Sequence, residues 1–244
     1  QCQDHKVEEI RALFEALRAS GAFIEVERGF LEYVKGLIPD VAADKAVGDG
    51  EVSADVVVSI GGDGTFLRAA AWVGSRETPI FGVNTGHLGY LSDVSVADVS
   101  TFVAGLADGN FRIERRSLLQ VDTNAGVALA NRYALNEVAI LKNASASMLA
   151  MDTSVDTTML NTYLGDGLII ATPTGSTAYN LSVGGPILHP ACSSFVLSPI
   201  AAHSLTMRPL VVPDTVEIAV TTRSERSHTF RISVDGESLS LPIG

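Results

Sequence analysis

Apolar residues recur with a helical period at the start of the chain. Val7, Ile10, Leu13, Phe14 and Leu17 fall on one face of "KVEEIRALFEALR", which predicts an amphipathic helix over Lys6–Arg18, ended by Gly21. Phe23 to Val26 predicts a short strand, and Phe30 to Leu37 a second helix stopped before Pro39. The pattern changes at Val56–Ile60, an unbroken apolar run of the kind a fully buried parallel strand shows. A glycine turn follows, then a helix to about Val73, and "PIFGV" at Pro79–Val83 predicts the next strand. Strand, helix, strand in that order implies a right-handed βαβ unit. An α/β domain with a parallel sheet is therefore expected over residues 1–112.

After "FRIERR" the texture is different. The runs "LLQVDT", "GVALANRYALNEVAIL", "DGLIIATP" and "TVEIAVTT" are strand-like and punctuated by Asn, Gly and Pro, with few helical periods. Residues 113–244 are expected to form a β-rich, β-sandwich-like domain. Asp-Gly recurs at Asp49, Asp63, Asp108, Asp166 and Asp235, mostly as turns.

A chain of 244 residues, 46% of them hydrophobic, can bury a sizeable core in one large domain or two modest ones. Its apolar runs are too short to span a bilayer, and "QCQDHKVEEI" has neither the basic nor the apolar region of a secretion signal. The chain opens without an initiator Met and directly in a helical pattern, as a piece of a longer chain does. Cys2 and Cys192 lie far apart with no metal-ligand spacing, so neither a disulfide framework nor a structural zinc site is expected, and a reducing cytoplasm is the default. Cys192 follows His189 in "HPAC"; a buried small hydrophobe is the better expectation there than a Cys-His nucleophile. The formal charge of −11 speaks against nucleic-acid binding. An anionic ligand would have to be held locally, by backbone N–H groups, a few basic side chains or a divalent cation.

The loop "SIGGDGTFL" joins a strand to a helix through three glycines. No Lys-Ser/Thr follows, so it is not a Walker A loop, and Leu67 stands where a dinucleotide fingerprint needs its last Gly. What remains is a turn of small residues feeding a helix N-terminus, where unpaired N–H groups favour an anion. Asp63, in the middle of it, suits a turn or N-cap. It equally suits a proton acceptor beside bound phosphates, or a group helping to hold magnesium. Asn136 and Glu137 interrupt the apolar strand "YALNEVAIL", where adjacent residues must face opposite ways. Both lie beside buried neighbours, which suggests ligand hydrogen bonds. "ATPTGSTAYNLSVGGP" runs from an apolar strand into a short helix near Ser176; its hydroxyls suit an orientation-specific pocket or a solvated turn.

Together, "GGDGT" at Gly61–Thr65, "NTGHLGYL" at Asn84–Leu91, "LNE" at Leu135–Glu137 and "DGLIIATPTGSTAYNLSVGGPI" at Asp166–Ile187 resemble the NAD kinase family. The first motif is shared with diacylglycerol-type lipid kinases and phosphofructokinases; the last is far more specific. The likeness runs from about Val56 to "VDGE" at Val234–Glu237. It implies two domains with the active site in the cleft between them, a homodimer or homotetramer, and transfer of the γ-phosphoryl group of ATP to the 2′-hydroxyl of the adenosine ribose of NAD, giving NADP. Asp63 is then the proton acceptor. Gly61, Gly62, Gly64 and Thr65 lie at the phosphates, with Gly64 also touching NAD. Tyr90 packs near the adenine, although ordinary core or interface packing also suits it, and His87 suits a turn. Asn136 and Glu137 contact ribose and adenine, while Asp166, Thr174, Thr177, Ala178, Tyr179 and Ser182 line the dinucleotide site. Mg²⁺ or another divalent cation is implied, held mainly by the phosphates, with its protein ligands unassigned. Nucleic acid and membrane are not expected partners.

The chain departs from the family in three places. The family opens with a strand before its first helix, it continues past "DGE" with further strands where "SLSLPIG" stops soon after Glu237, and it more often has Gln at the position of Glu237. Two other readings are a lipid kinase sharing the glycine loop and a noncatalytic dinucleotide sensor. The charge of −11 offers anionic lipid no attraction, and a sensor could dispense with Asp63.

Overall fold

The computed structural model describes residues 5–48, 51–84, 90–91, 94–95, 98–143 and 148–244. Packing divides the chain into two compact units, Gln1–Glu114 and Arg115–Gly244. Among the described residues no helix is long and apolar enough to cross a membrane.

In the first unit the helical pattern becomes α1 (His5–Ala19), with Ile10, Leu13 and Phe14 buried. Gly21 ends it with a φ of 78°, a left-handed conformation that glycine adopts without strain. The predicted strand at Phe23–Val26 lies further along, as β1 (Glu25–Glu27), and Phe23 itself is exposed. Helix α2 (Arg28–Leu37) begins two residues before the expected Phe30. The reason is Glu27, whose carboxylate accepts the N–H groups of Gly29 and Phe30, both at 2.7 Å, and caps the helix. β1 pairs in parallel with β2 (Lys45–Val47).

A separate parallel sheet has the order β3 (Val57–Ile60), β4 (Ile80–Asn84), β5 (Val94–Ser95), with α3 (Asp63–Val73) between its first two strands. This is the expected strand–helix–strand unit. β3 is not fully buried, however: it lies at the sheet edge, and only Val57 and Ser59 are buried along it. An edge strand has one partner, so alternate residues keep some exposure. Helix α4 (Val99–Ala107), not expected from the sequence, buries Val99 and Val103 with Leu13 and Val83, and its Phe102 stacks on Phe81.

The second unit is built on antiparallel strands. A six-stranded sheet runs in the order β13 (Leu210–Pro213), β12 (Ser194–Ile200), β11 (Gly167–Ala171), β8 (Glu137–Lys142), β15 (Thr229–Val234), β16 (Glu237–Pro242). A three-stranded sheet has β9 (Leu149–Val155) between β10 (Thr158–Gly165) and β14 (Ile218–Arg223), and β6 (Leu119–Gln120) pairs with β7 (Tyr133–Ala134). The principal core combines residues of both larger sheets: Val138, Ile140, Leu168, Ile170, Phe195, Leu197 and Ile232 meet Leu149, Met151 and Tyr163. Side chains alternate along a strand, so Ile169 and Ala171 of β11 point the other way, into a smaller cluster with Ala139 and Val183. Both faces of β11 are thus covered, which is why its sequence is continuously apolar.

Cys192 overturns its expectation: it is exposed, in the turn where its N–H donates to the carbonyl of His189. That turn lies outside the core, so no apolar surface covers the thiol. Cys2 lies outside the described residues.

Leu168 is fully buried at the centre of the principal core. Leu168→Ala is expected to destabilise the second unit by about 2–5 kcal/mol. Urea denaturation of the parent and variant chains measures this, and a loss well under 1 kcal/mol would place the core elsewhere.

Candidate functional site

The first unit contributes the glycine loop. Helix α3 begins at Asp63 with Gly62 as its N-cap residue, and no side chain caps it. The Asp63 carboxylate instead reaches away from its own helix. One oxygen accepts the N–H of Tyr90 at 2.9 Å and the other that of Leu91 at 3.0 Å. Asp63 is therefore not the N-cap, and each oxygen keeps lone-pair capacity for a further donor. Gly61 has a φ of 152°, and a Cβ there would lie 2.5 Å from Thr65 Oγ1, so the position requires glycine. At Gly62 and Gly64 a Cβ would meet nothing, which leaves the backbone of the first helical turn open to approach.

The second unit contributes a corner and a loop. Leu135 and Asn136 form a bend between β7 and β8, and Glu137 is the first residue of β8. The two polar residues are thus not neighbours within one strand, as the sequence suggested. The bend breaks the pleat, so strand alternation does not set their directions. The loop after β11 is fastened to this corner. The N–H of Thr172 donates to the carbonyl of Asn136 at 2.9 Å, and Thr172 Oγ1 donates to the carbonyl of Leu135. Gly175 packs so closely that a Cβ would lie 2.0 Å from the Asn136 carbonyl oxygen. The amide of Tyr179 donates to the Glu137 carboxylate. Thr174 is buried and accepts from Arg116 Nη1 at 3.2 Å, while Thr177 closes the same 3-10 turn, Thr174–Thr177.

The loop holds its own shape through Asn180, which is fully buried. Its amide donates to the carbonyls of Ser176 and Pro186, each at 3.0 Å, and its oxygen accepts Ser198 Oγ at 2.6 Å. Tyr179, Leu181 and Ser182, on the same short helix α5 (Tyr179–Ser182), remain exposed.

A third segment fixes the corner from behind. Asp235, in the turn between β15 and β16, accepts the N–H groups of Leu135, Asn136 and Glu137 at 2.7, 2.9 and 3.0 Å. Its own N–H donates to the Glu137 carbonyl at 3.1 Å. Burial raises the Asp235 carboxyl above its ordinary range, against the pull of the three amides. The Glu137 carboxyl is pushed up to about 7, first by burial and then by the charge of Asp235, with the Tyr179 amide acting the other way. Among the described residues Glu137 Oε2 is buried with no hydrogen-bond partner. A half-buried carboxyl with one buried, unpartnered oxygen is suited to receive a donor from a ligand.

The chain as a whole matches a known set of proteins. The model of the ATP-NAD kinase N-terminal domain fits residues 43–111 and that of the ATP-NAD kinase C-terminal domain residues 135–241. The chain is 45% identical to the NAD kinase of Bacteroides fragilis over 237 residues, which is 97% of this chain and 81% of that protein. It is likewise 45% identical to that of Porphyromonas gingivalis over 242 residues, 98% of this chain and 83% of that one. The chain belongs to the NAD kinase family. Two solved structures agree. A yeast NADH kinase complexed with NADH gives a TM-score of 0.81 at 25% identity, covering 98% of this chain and 74% of that one. An NAD kinase from Archaeoglobus fulgidus in complex with ATP gives 0.64 at 27% identity, covering 90% of each chain. The lipid-kinase and sensor readings find no support among these relatives, and the class is that of a kinase.

Among the residues proposed from the sequence, this NAD kinase fold gathers Asn136, Glu137, Thr174, Thr177, Ala178 and Tyr179 at the joined ends of β8 and β11. Asp166 is set apart from them. It precedes β11, six residues and about 20 Å of extended strand from Thr172, where it pairs with Lys142 at 2.7 Å. The Tyr90 side chain is exposed and its backbone, not its ring, meets Asp63. His87 and the rest of residues 85–89 lie outside the described residues. Sequence reasoning missed Asp235, Thr172, Gly175 and Asn180. All four lie in stretches that carry the family likeness, but the signal gave none of them an individual role, and for Asp235, as an Asp-Gly pair, it said turn.

Because the folded Glu137 carboxyl titrates near 7 rather than 4.5, the folded chain binds more protons here than the unfolded one between those values. Its contribution to stability is fully present below about 4.5 and is lost as pH rises through about 7. Glu137→Gln is expected to remove that loss. Urea unfolding of parent and variant across this range checks it, and parallel pH dependences would show that Glu137 is not the group responsible.

Proposed function

We propose that this chain transfers the γ-phosphoryl group of ATP to the 2′-hydroxyl of the adenosine ribose of NAD, producing NADP. The observation that carries the reading at the chemical step is the Asp63 carboxylate, held at the start of α3 by the amides of Tyr90 and Leu91 and not spent on capping the helix. The bond from O2′ to the γ-phosphorus forms as the bond from that phosphorus to the β,γ-bridging oxygen breaks. ADP leaves with the electron pair, and Asp63 takes the hydroxyl proton. The open backbone at Gly62 and Gly64 and the N-terminal end of α3 bind phosphate oxygens; the amides of Thr65 and Phe66 already donate to the Gly62 carbonyl, so the amides of Asp63 and Gly64 are the ones offered. Asn136 and Glu137 hold the adenosine of the acceptor, and Thr174, Thr177, Ala178, Tyr179 and Ser182 complete its pocket.

Among the described residues no three carboxylate, imidazole or thiolate groups gather to hold a metal. A divalent ion carried on the nucleotide phosphates would neutralise charge there. NADH is the second reading for the acceptor, supported by the likeness to the yeast NADH kinase complexed with NADH.

Asp63→Asn keeps an oxygen for one of the two amides and loses the base. It is expected to lower kcat by about 10²-fold or more while NAD still binds, as steady-state kinetics and calorimetry on folded protein will show. A kcat within a few-fold of the parent would leave Asp63 with a structural role alone. In the same assay 2′-deoxy-NAD is expected to bind and remain unphosphorylated; its turnover would place the attack elsewhere.

A further inference from the structure

We propose that Asp235 is a positioning residue for the acceptor: its carboxylate fixes the backbone of Leu135–Glu137 and so sets where the Asn136 and Glu137 side chains meet the adenosine. The proposal rests on the role given above to Asn136 and Glu137.

The geometry is specific. Three consecutive amides converge on one carboxylate, at 2.7 to 3.0 Å, and the Asp235 amide returns a bond to the Glu137 carbonyl. Three successive N–H groups cannot all point one way in a strand, where they alternate across the two edges. Leu135–Glu137 is therefore bent around the carboxylate, and the bend takes Asn136 out of the ladder. Asp235 is built for this position. Its φ of 46° is left-handed, which Asp and Asn tolerate, and Gly236 follows at 88°. The turn itself needs no carboxylate, because Asn or Gly in this place would close it equally well. What the carboxylate adds is acceptor capacity for three donors, directed at the one bend in the unit that carries both polar residues.

The same group also raises the Glu137 carboxyl, second to burial. Asp235 is the charge acting on it, from the β15–β16 turn; α5 presents the Tyr179 amide, and β11 places the uncharged Ala171 opposite in register. Removing the Asp235 charge lets Glu137 ionise at lower pH.

The test is Asp235→Asn, which keeps the left-handed backbone and the turn but presents an NH₂ group where donors converge. The KM for NAD is expected to rise about tenfold or more, with the KM for ATP and the kcat at saturating NAD within about threefold. The pH at which NAD affinity increases is expected to move down in Asp235→Asn and to vanish when Glu137→Gln is added. An unchanged KM for NAD in the folded variant, or kcat and both KM values moving together, would overturn the proposal. Asn136→Ala and Glu137→Ala separate it from the reading beneath it. If they leave NAD affinity intact, the adenosine assignment fails; if they weaken it and Asp235→Asn does not, only the positioning role fails. Should Asp235→Asn not fold, hydrogen exchange on the parent decides: the amides of 135–137 must exchange as slowly as those of β8, and fast exchange overturns the proposal.

Discussion

β11 is buried on both faces from Gly167 to Ala171, between β8 and β12. A strand so placed has its backbone satisfied by two ladders and its side chains by two apolar layers. It has no freedom to shift by one residue, because a slip would exchange Leu168 and Ile170 with Ile169 and Ala171 across the sheet. The loop that follows inherits this rigidity. Thr172, one residue past the strand, is already bonded to the corner at Leu135 and Asn136. Polar groups that must meet a ligand at hydrogen-bond distance are thereby hung from the least deformable part of the unit, while exposed Tyr179 and Ser182 stand at its rim.

The electrostatics follow a related logic. With a formal charge of −11, the chain repels anions at long range. The acidic groups at the functional corners are each met by oriented backbone dipoles: Asp63 by two amides, Asp235 by three and Glu137 by one. Backbone donors carry no counter-charge and are held in place by the fold. They can hold a carboxylate in position without a lysine or arginine that would compete for phosphate.

Much of this was legible in the sequence, and the remainder was hidden for identifiable reasons. Periodicity located α1, α3 and β4 because each has an apolar face set by its own residues. It misplaced the start of α2, since Glu27 is an uncommon cap, and it overburied β3, since an apolar run does not say whether a strand has one neighbour or two. The motifs carried Asn136 and Glu137 but not the bend between them, which is imposed by groups far away in sequence. Asn180 and Gly185 explain each other, since a Cβ on the glycine would lie 2.0 Å from the asparagine oxygen. Neither residue shows that alone. Asp166 bears on the same point: its motif is continuous with the loop in sequence, yet an extended strand separates the two ends in space.

The bonds from Asp235 to Leu135, Asn136 and Glu137 close over 98 to 100 residues of chain. Contacts of such separation are slow to form, because most of the loop entropy must be lost before they return anything. On a ribosome adding about 5–20 residues per second, the corner waits roughly 5 to 20 s after Glu137 is made before its last hydrogen-bond acceptor exists. The β15–β16 turn therefore acts as a latch in time as well as in space. A chain whose synthesis stops short of it carries every residue of the asparagine–glutamate corner and of the loop beside it, without the carboxylate that gives them their arrangement.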